Sequence, residues 1–252
     1  RNLDDGTTDA KLVFSAAAEA DGTVTVLVDG GAAHEITLGA KNDTLTDTGS
    51  GALIVTATGG DNTIKLGSGA ATVTAGTGTD TITVGTGGDT VKWSTAAGSI
   101  GDSITDFVSG TDKLHFTIDL SGNAQPVTVN GVRTGAGKAG VTAAESTMTG
   151  KYGEFVYDTT NSKLVMDITG DGTISGADHT IGINAATTAA NTIAVGDVSF
   201  TITATAGADI ITTGGGADTI SAGAGLDTIT TGAGNDTINA SAGADVIVAG
   251  AG

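Results

Sequence analysis

The stretch TAGADIITTGGGADTISAGAGLDTITTGAGNDTINASAGADVIVAG, residues 205–250, repeats one pattern every nine residues. In each unit an aspartate has a glycine two residues before it and an isoleucine two residues after it. The aspartates are Asp209, Asp218, Asp227, Asp236 and Asp245. Because three residue classes keep one register over five units, the stretch is a structural repeat and not a glycine-rich tract of low complexity.

Each nine-residue unit combines a glycine-rich turn with a short strand. Glycine adopts positive φ angles and therefore suits tight turns that are lined by main-chain oxygens. The Thr-Ile-Thr type triplet alternates an apolar β-branched residue between hydroxyls, as a strand with one buried face does. Two units would close one coil, and stacked coils would pair each strand with the equivalent strand two units later, as in a parallel solenoid.

Coil stacking predicts that aspartates two units apart converge. The predicted pairs are Asp209 with Asp227, Asp218 with Asp236, and Asp227 with Asp245. Two carboxylates among turn carbonyls supply the hard oxygens that Ca²⁺ prefers, and they offer zinc no nitrogen or sulfur. The alternative is a solvated acidic face, which stacked like charges would destabilise in the absence of a cation.

A weaker array of the same period occupies residues 48–93 and predicts a row of apolar positions. That row is Val55, Ile64, Val73, Ile82, Val91 and Ile100. The position of the aspartate reads Leu53, Asn62, Ala71, Asp80, Asp89 and Gly98. Because Ala71 and Gly98 offer no carboxylate, Asn62 with Asp80 is the best predicted metal site of this array. We therefore expect the array in residues 201–252 to bind more Ca²⁺ than this first array.

The units TGGGADTIS, SAGAGLDTIT and TGAGNDTIN match the pattern G-G-x-G-x-D-x-U-x closely, where U is a large apolar residue, and AGTGTDTIT matches it more loosely. The sequence resembles the RTX, or hemolysin-type calcium-binding, family. The resemblance implies an all-β fold of right-handed parallel β-rolls, Ca²⁺ between successive turns, and export by type I secretion without a cleaved N-terminal signal. The ligands predicted in the rolls are Asn62, Asp80, Asp89, Asp209, Asp218, Asp227, Asp236 and Asp245.

Composition divides the chain into four predicted regions. Residues 1–47 are predicted to form a β-hairpin region, residues 48–105 a first, degenerate RTX roll, and residues 106–200 an irregular, β-rich capping module between the rolls. Residues 201–252 form the second roll, which we expect to continue beyond the end of this chain.

Two of these regions carry more detailed predictions. In the first, a strand around Val26 is predicted to turn back through Asp29-Gly30-Gly31 to a strand around Ile36, after a short helix within residues 9–20. In the third, the segment GDSITDFVSGTDKLHF resembles the segment that follows RTX rolls in secreted proteins. Its apolar residues are predicted to cap the open end of the first roll. These residues are Ile104, Phe107, Leu114 and Phe116.

A different kind of calcium site is predicted in DITGDGTISGAD, residues 167–178. Positions 1, 3, 5, 7 and 12 of an EF-hand-like loop would be Asp167, Thr169, Asp171, the main-chain carbonyl of Thr173, and Asp178. Gly172 would stand at the sharp turn of the loop. The alternative is an Asp- and Gly-rich turn of the Asx type, which binds no ion.

No catalytic site is predicted, and we expect no enzymatic activity from this chain. The three histidines, His34, His115 and His179, stand in unrelated contexts, and AAHEITL lacks the second histidine of an H-E-x-x-H zinc protease. A G-x-S-x-G nucleophile elbow is also missing from the sequence.

Charge and composition limit the kinds of partner that the chain can bind. The net charge of -18, from 28 acidic and 10 basic residues, would repel nucleic acid and anionic membranes and attract cations. The absence of cysteine rules out disulfides and thiolate metal sites. The sequence contains no signal peptide pattern and no apolar run long enough to span a bilayer.

Together these features predict a secreted calcium-binding structural protein on the surface of a Gram-negative bacterium. The chain resembles calcium-dependent S-layer proteins, whose partners would be Ca²⁺, further copies of the chain in a lattice or filament, and a cell-surface polysaccharide as anchor. Two alternatives stay open. The chain could be a calcium-stiffened segment of a large adhesin or biofilm-matrix fibre. It could also be the RTX secretion and folding module of an enzyme or toxin whose catalytic part is absent.

Overall fold

A computed structural model describes residues 11–18, 22–94, 100–123, 125–130, 150–158, 162–172, 178–185, 193 and 195–252. Within these residues the chain is all-β, with one short 3-10 helix at Val195–Asp197 and no helix long and apolar enough to cross a membrane. The strands are β1 (Val13–Ser15), β2 (Thr25–Val28), β3 (His34–Thr37), β4 (Thr44–Asp47), β5 (Leu53–Thr56), β6 (Thr63–Lys65), β7 (Ala71–Ala75), β8 (Thr81–Thr83), β9 (Thr90–Trp93), β10 (Ile100–Phe107), β11 (Lys113–Asp119), β12 (Thr128–Asn130), β13 (Glu154–Asp158), β14 (Lys163–Asp167), β15 (His179–Ala185), β16 (Val198–Thr203), β17 (Ile210–Thr212), β18 (Thr219–Ser221), β19 (Thr228–Gly232), β20 (Thr237–Asn239) and β21 (Val246–Ala249).

The chain divides into two compact units. The first unit consists of Arg1–Lys113 with Thr180–Asn191, and consecutive strands in it alternate between two sheets. One sheet has the order β1-β3-β5-β7-β9 and the other β2-β4-β6-β8-β10-β15, and every pairing described within them is parallel. Each coil of this solenoid therefore contributes one strand to each sheet.

The second unit consists of Leu114–His179 with Thr192–Gly252. It contains two parallel sheets, β11-β16-β18-β20 and β12-β17-β19-β21. It also contains the antiparallel pair β13 and β14, which is the irregular β structure predicted between the two rolls. The parallel β-roll architecture predicted from the nine-residue period is thereby confirmed.

Strand alternation builds the interior of each unit from single apolar columns. Ile64 of β6 pairs with Ile82 of β8, and the threonines on either side of Ile82 point outward. In the second unit Ile211 pairs with Ile229 in the same way, and all four isoleucines are buried. Burial of one such side chain stabilises the fold by about 1.5–3 kcal/mol. Buried aromatic residues such as Trp93 and Phe107 add to these columns.

The predicted N-terminal hairpin and helix differ from the structure. β2 and β3 lie in different sheets, and each pairs in parallel with the strand two positions later along the chain. Asp29-Gly30-Gly31 is therefore a corner of the solenoid. This arrangement gives both strands a hydrogen-bonded neighbour in the next coil, whereas a hairpin would pair them only with each other. Of the stretch predicted as a helix, residues 11–18 are described, and they contain the strand β1, which pairs with β3.

The predicted cap is also different. Ile104 pairs with Ile82 on one side and with Ile183 on the other, so β10 is an internal strand of the first unit, as buried Phe107 near its end confirms. Ile100, predicted to continue the apolar row, pairs instead with Thr180. Four extra residues in this coil move the apolar position from 100 to 104. Leu114 and Phe116 lie in the second unit, where β11 pairs with β16 through both residues.

Glycine is required where turns of adjacent coils touch. A Cβ atom on Gly85 would lie 1.6 Å from the carbonyl oxygen of Gly67. We expect Gly85→Ala to lower the free energy of unfolding by about 2 kcal/mol or more, because the backbone of one turn must move. Gly122→Ala is the matched control, since a Cβ there meets no atom within 4 Å. Denaturant unfolding followed by circular dichroism would measure both variants, and equal stabilities would contradict this packing.

Candidate metal centre

The periodic aspartates of the second unit are buried at the turns. Asp209, Asp218 and Asp227 are at most 1% exposed, whereas Asp236 and Asp245 are half-buried. The alternative of a solvated acidic face therefore does not describe the first three. Each side chain is held inside the coil stack, where an ionised carboxylate needs hydrogen bonds or a cation.

The aspartates predicted to converge are neighbours across adjacent coils. The main-chain N–H of Asp209 donates to Oδ1 of Asp227 at 2.9 Å, and that of Asp227 donates to Oδ1 of Asp245 at 3.0 Å. The N–H of Asp218 donates to Oδ1 of Asp236 at 3.0 Å. Each carboxylate is thus fixed by an amide of the preceding coil, and the three predicted pairs are brought together.

The second oxygen of two of these carboxylates has no donor. Oδ2 of Asp218 and Oδ2 of Asp227 are buried without a hydrogen-bond partner among the described residues. Asp209 differs, because its Oδ2 accepts the N–H of Thr205 at 2.9 Å. A buried, unsatisfied carboxylate oxygen costs free energy unless a water or an ion completes it. These two oxygens therefore mark where a cation would stabilise the stack.

Main-chain oxygens lie beside the same carboxylates. A Cβ atom on Gly225, whose φ is +157°, would lie 2.1 Å from the carbonyl oxygen of Gly207 and 2.9 Å from Oδ1 of Asp227. The missing side chain thus allows a carbonyl of one coil to lie close to the turn that carries the carboxylate of the next coil. Carboxylate and carbonyl oxygens are the donors that Ca²⁺ takes in proteins.

The first unit carries two columns of the same kind, in which a main-chain amide of one coil donates to a side-chain oxygen of the next. The N–H of Asp43 donates to Oδ1 of Asn62, the N–H of Asn62 to Oδ1 of Asp80, and the N–H of Asp80 to Oδ1 of Asp102, over distances of 2.7–2.9 Å. We call these four residues the Asn62 column. A second column in this unit links Ala71 to Asp89 and Asp89 to Asp112.

Sequence reasoning missed Asp43, Asp102 and Asp112 as members of these columns. Gly98, which was expected to follow Asp80, lies outside the described residues, and Asp102 takes its place. The coil between Asp80 and Asp102 spans 22 residues and that between Asp89 and Asp112 spans 23, so a fixed period of 18 passes over both. The signal that finds them is local. Each missed aspartate stands two residues before a buried apolar residue, as in D-T-L, D-S-I and D-K-L.

The buried carboxylates of both units have altered acidities. Burial raises the pKa of Asp218 to about 6, and the nearby Asp236 adds to the rise, while hydrogen bonds to the carboxylate oppose it. Burial also raises the pKa of Asp102 to about 7 and shifts the pKa of Asp80 and Asp89 upward. Oδ2 of Asp80 and Oδ2 of Asp89 are, like those of the second unit, buried without a partner within the described part of the chain.

The EF-hand-like loop follows β14, and its aspartates bond to the main chain. Asp167 accepts N–H groups of Gly170 at 2.6 Å and Gly172 at 2.7 Å, and Asp178 accepts the N–H of Thr169 at 3.1 Å. The hydroxyl of Thr169 donates to Asp167. These bonds form the Asx-type turn that was the alternative to an ion. Asp171 is described in this loop, but Thr173 lies outside the described residues. A calcium ion in this loop stays a prediction.

Two carboxylates are the most that any candidate site in the described ranges brings together. There, no group of three or more Asp, Glu, His or Cys side chains is placed to hold a metal ion. A site among the described residues would therefore draw its remaining ligands from turn carbonyls or water. This donor set suits Ca²⁺ and excludes the nitrogen- or sulfur-rich shells of zinc and copper.

Comparison with known proteins agrees with this chemistry. A model of four copies of the RTX calcium-binding nonapeptide repeat matches residues 56–91, 201–229 and 221–252. The chain contains RTX calcium-binding nonapeptide repeats. This finding confirms the resemblance drawn from the sequence and makes the two rolls parts of a calcium-binding β-roll protein. The search of curated proteins found no match to the chain.

The residues present fit calcium, because oxygen donors and partnerless carboxylate oxygens occur at the RTX turns. In the second unit the pairs Asp218 with Asp236, Asp209 with Asp227, and Asp227 with Asp245 would each hold an ion together with turn carbonyls. A bound Ca²⁺ would supply positive charge that neutralises carboxylates stacked in adjacent coils. The aspartates themselves align the coils through their amide contacts.

Asp227 is expected to be the most sensitive ligand, because it has a predicted partner in the coil on each side. In Asp227→Ala the folding midpoint should move to at least several-fold higher calcium concentration. Leu226→Ala is the matched control, since that neighbouring side chain is 65% exposed. A calcium titration followed by circular dichroism gives the midpoint. If Asp227→Ala folds at the parental calcium concentration, the pairing scheme is wrong.

Calcium-free protein is expected to lose stability as the pH rises from about 4 to about 7. The pKa of Asp218, about 6, and that of Asp102, about 7, both lie above the ordinary value of 3.8. Over this interval the folded state keeps protons that the unfolded state has released, so the free energy of unfolding falls as pH rises. Saturating calcium should oppose this trend, because protons and Ca²⁺ compete for the same oxygens.

Urea unfolding in calcium-depleted buffer, measured at about pH 5 and about pH 7, tests this pH dependence. Asp218→Asn cannot titrate at that position and should show a smaller change between the two pH values. If the stability of Asp218→Asn changes between the two pH values as much as that of the parent, this carboxyl group does not cause the pH dependence.

Proposed function

We propose that the chain is a secreted structural protein whose RTX rolls fold on binding Ca²⁺ outside the cell and support self-assembly into a surface layer. The observation that carries the calcium part is the pair of buried, partnerless Oδ2 atoms of Asp218 and Asp227. Each of these two aspartates has its predicted partner in an adjacent coil, so each site is assembled only when the coils stack. Ion binding and folding are then one event.

Secretion follows from the same coupling. Where calcium is scarce, as inside a cell, the stacked carboxylates repel one another and the second unit is disfavoured. Where calcium is plentiful, as outside, binding to the folded state stabilises it by mass action. A chain that folds only after export suits type I secretion from a Gram-negative bacterium.

Self-assembly into a surface layer is supported by charge and composition. The chain has a net charge of -18, so copies of it repel at close range unless cations lie between them. Calcium would first stiffen each roll and then bridge acidic faces of neighbouring subunits. A cell-surface polysaccharide would anchor the layer, and the protein would act without enzymatic activity.

The two alternatives differ in what calcium-folded chains do next. A segment of an adhesin or matrix fibre would form filaments or extended monomers instead of sheets. A secretion and folding module of an enzyme or toxin would fold with calcium and remain monomeric. The presence of a roll in each unit favours a structural role. An export module needs only one roll, and not a second roll separated from it in the sequence by a β module.

The test is a calcium titration of the purified chain, followed by circular dichroism and by light scattering after size exclusion, with Mg²⁺ as control. We expect a cooperative gain of β signal with Ca²⁺ alone, then growth in mass, and ordered sheets in electron micrographs. Folding without growth in mass would overturn the surface layer and leave the export module. Single fibres would favour the adhesin, and β structure indifferent to Ca²⁺ or chelator would overturn the calcium mechanism itself.

A further inference from the structure

One turn of the first unit carries an amide where the second unit carries a carboxylate. Oδ1 of Asn62 accepts the N–H of Asp43 at 2.9 Å, as Oδ1 of Asp218 accepts the N–H of Phe200 at 2.8 Å. Both side chains are about 1% exposed. Asn62 and Asp218 therefore hold equivalent positions in their columns and differ only in the second polar atom.

That second atom of Asn62 is a nitrogen surrounded by oxygens. Nδ2 lies within hydrogen-bonding distance of the carbonyl oxygens of Gly59 at 3.2 Å and Gly60 at 3.0 Å, and of Oδ1 of Asp80 at 2.9 Å, and its two N–H groups are shared among these three acceptors. Two turn carbonyls and a carboxylate of the next coil are the donor set expected around a calcium ion in this fold. The Asp43 contact fixes the orientation of the amide, because only its oxygen can accept that N–H.

We infer that the side-chain amide of Asn62 takes the place of a calcium ion in the Asn62 column. The turn at residues 59–62 would then be held by protein hydrogen bonds and bind no Ca²⁺. This inference replaces the calcium site predicted between Asn62 and Asp80. The inference depends on the proposed function at one point, namely that the equivalent turn at Asp218 binds calcium.

The chemistry of the two side chains explains the exchange. A carboxylate at this position brings two oxygens and no hydrogen, so it adds to the negative charge of the turn and requires a cation. A primary amide brings one oxygen and two N–H groups, so it satisfies the carbonyls that would otherwise face the ion. Oδ2 of Asp218 is buried without a partner in the described part of the chain, whereas Nδ2 of Asn62 has three.

A second protein donor stands at the far end of the same column. The indole Nε1 of buried Trp93 donates to Oδ2 of Asp102 at 2.8 Å, while Oδ1 of Asp102 accepts the N–H of Asp80 at 2.7 Å. Both oxygens of Asp102 are thus satisfied by N–H groups. Oδ2 of Asp80, which lies between Asn62 and Asp102 in the column, is buried without a partner among the described residues, so the inference covers the turn at residues 59–62 and not the whole column.

The test exchanges the two side chains in the 252-residue chain. Asn62→Asp removes the donors and adds a carboxylate, so it should bind one more Ca²⁺ per chain than the parent. Without calcium its unfolding midpoint should fall by roughly 5 °C, and saturating calcium should restore it. The matched control, Asp218→Asn, should bind one ion fewer and be more stable than the parent in chelator.

Bound calcium is counted by equilibrium dialysis and metal analysis, and stability is read from thermal melts with calcium or chelator. Asn62→Ala completes the set and should bind the parental number of ions. The inference is overturned if Asn62→Asp gains no ion, or if Asn62→Ala loses one, since Asn62 would then be a ligand. If only Asp218→Asn departs from expectation and keeps the parental number, calcium binding at Asp218, one of the two observations that carry the proposed function, is overturned instead, and the inference about Asn62 stands.

Discussion

The contact on which the rest of the structure depends is the hydrogen bond from a main-chain amide of one coil to an inward-facing side chain of the next. It recurs from Asp43 to Asn62 in the first unit and from Asp209 to Asp227 in the second. Each bond fixes the register of two turns, and the strands that follow those turns then pair in parallel. The price of this register is a polar group in the interior, which must be satisfied by a donor or a cation.

The fold was predictable because a strict period leaves few alternatives. Isoleucines such as Ile220 and Ile238 pair across coils as their spacing of 18 residues requires. Prediction failed where the period slipped or where pairing was judged locally. Val26 and Ile36 suggested a hairpin because an Asp-Gly-Gly turn lies between them, yet each strand finds its partner in the next coil. Local turn chemistry does not distinguish a hairpin from a solenoid corner.

The candidate site was predictable at the level of residue pairs. Spacing alone placed Asp218 beside Asp236 and Asp227 beside Asp245. It could not show which oxygen of each carboxylate is left without a donor, because that depends on which amide each turn presents. It also counted Asn62 as a calcium ligand, paired with Asp80. The side-chain nitrogen of an asparagine and the oxygen of an aspartate occupy nearly the same volume but carry opposite hydrogen-bonding capacity, and only the surrounding oxygens reveal which is used.

The burial of Trp93 has a spectroscopic consequence. It is the only tryptophan of the chain, and its indole is fully buried and bonded to a carboxylate within the first unit. Its emission wavelength and quenching therefore depend on the packing of that unit. Far-ultraviolet dichroism, by contrast, sums the strands of both units. A fluorescence trace recorded beside a dichroism trace thus distinguishes the order in which the two units become structured, without any added label.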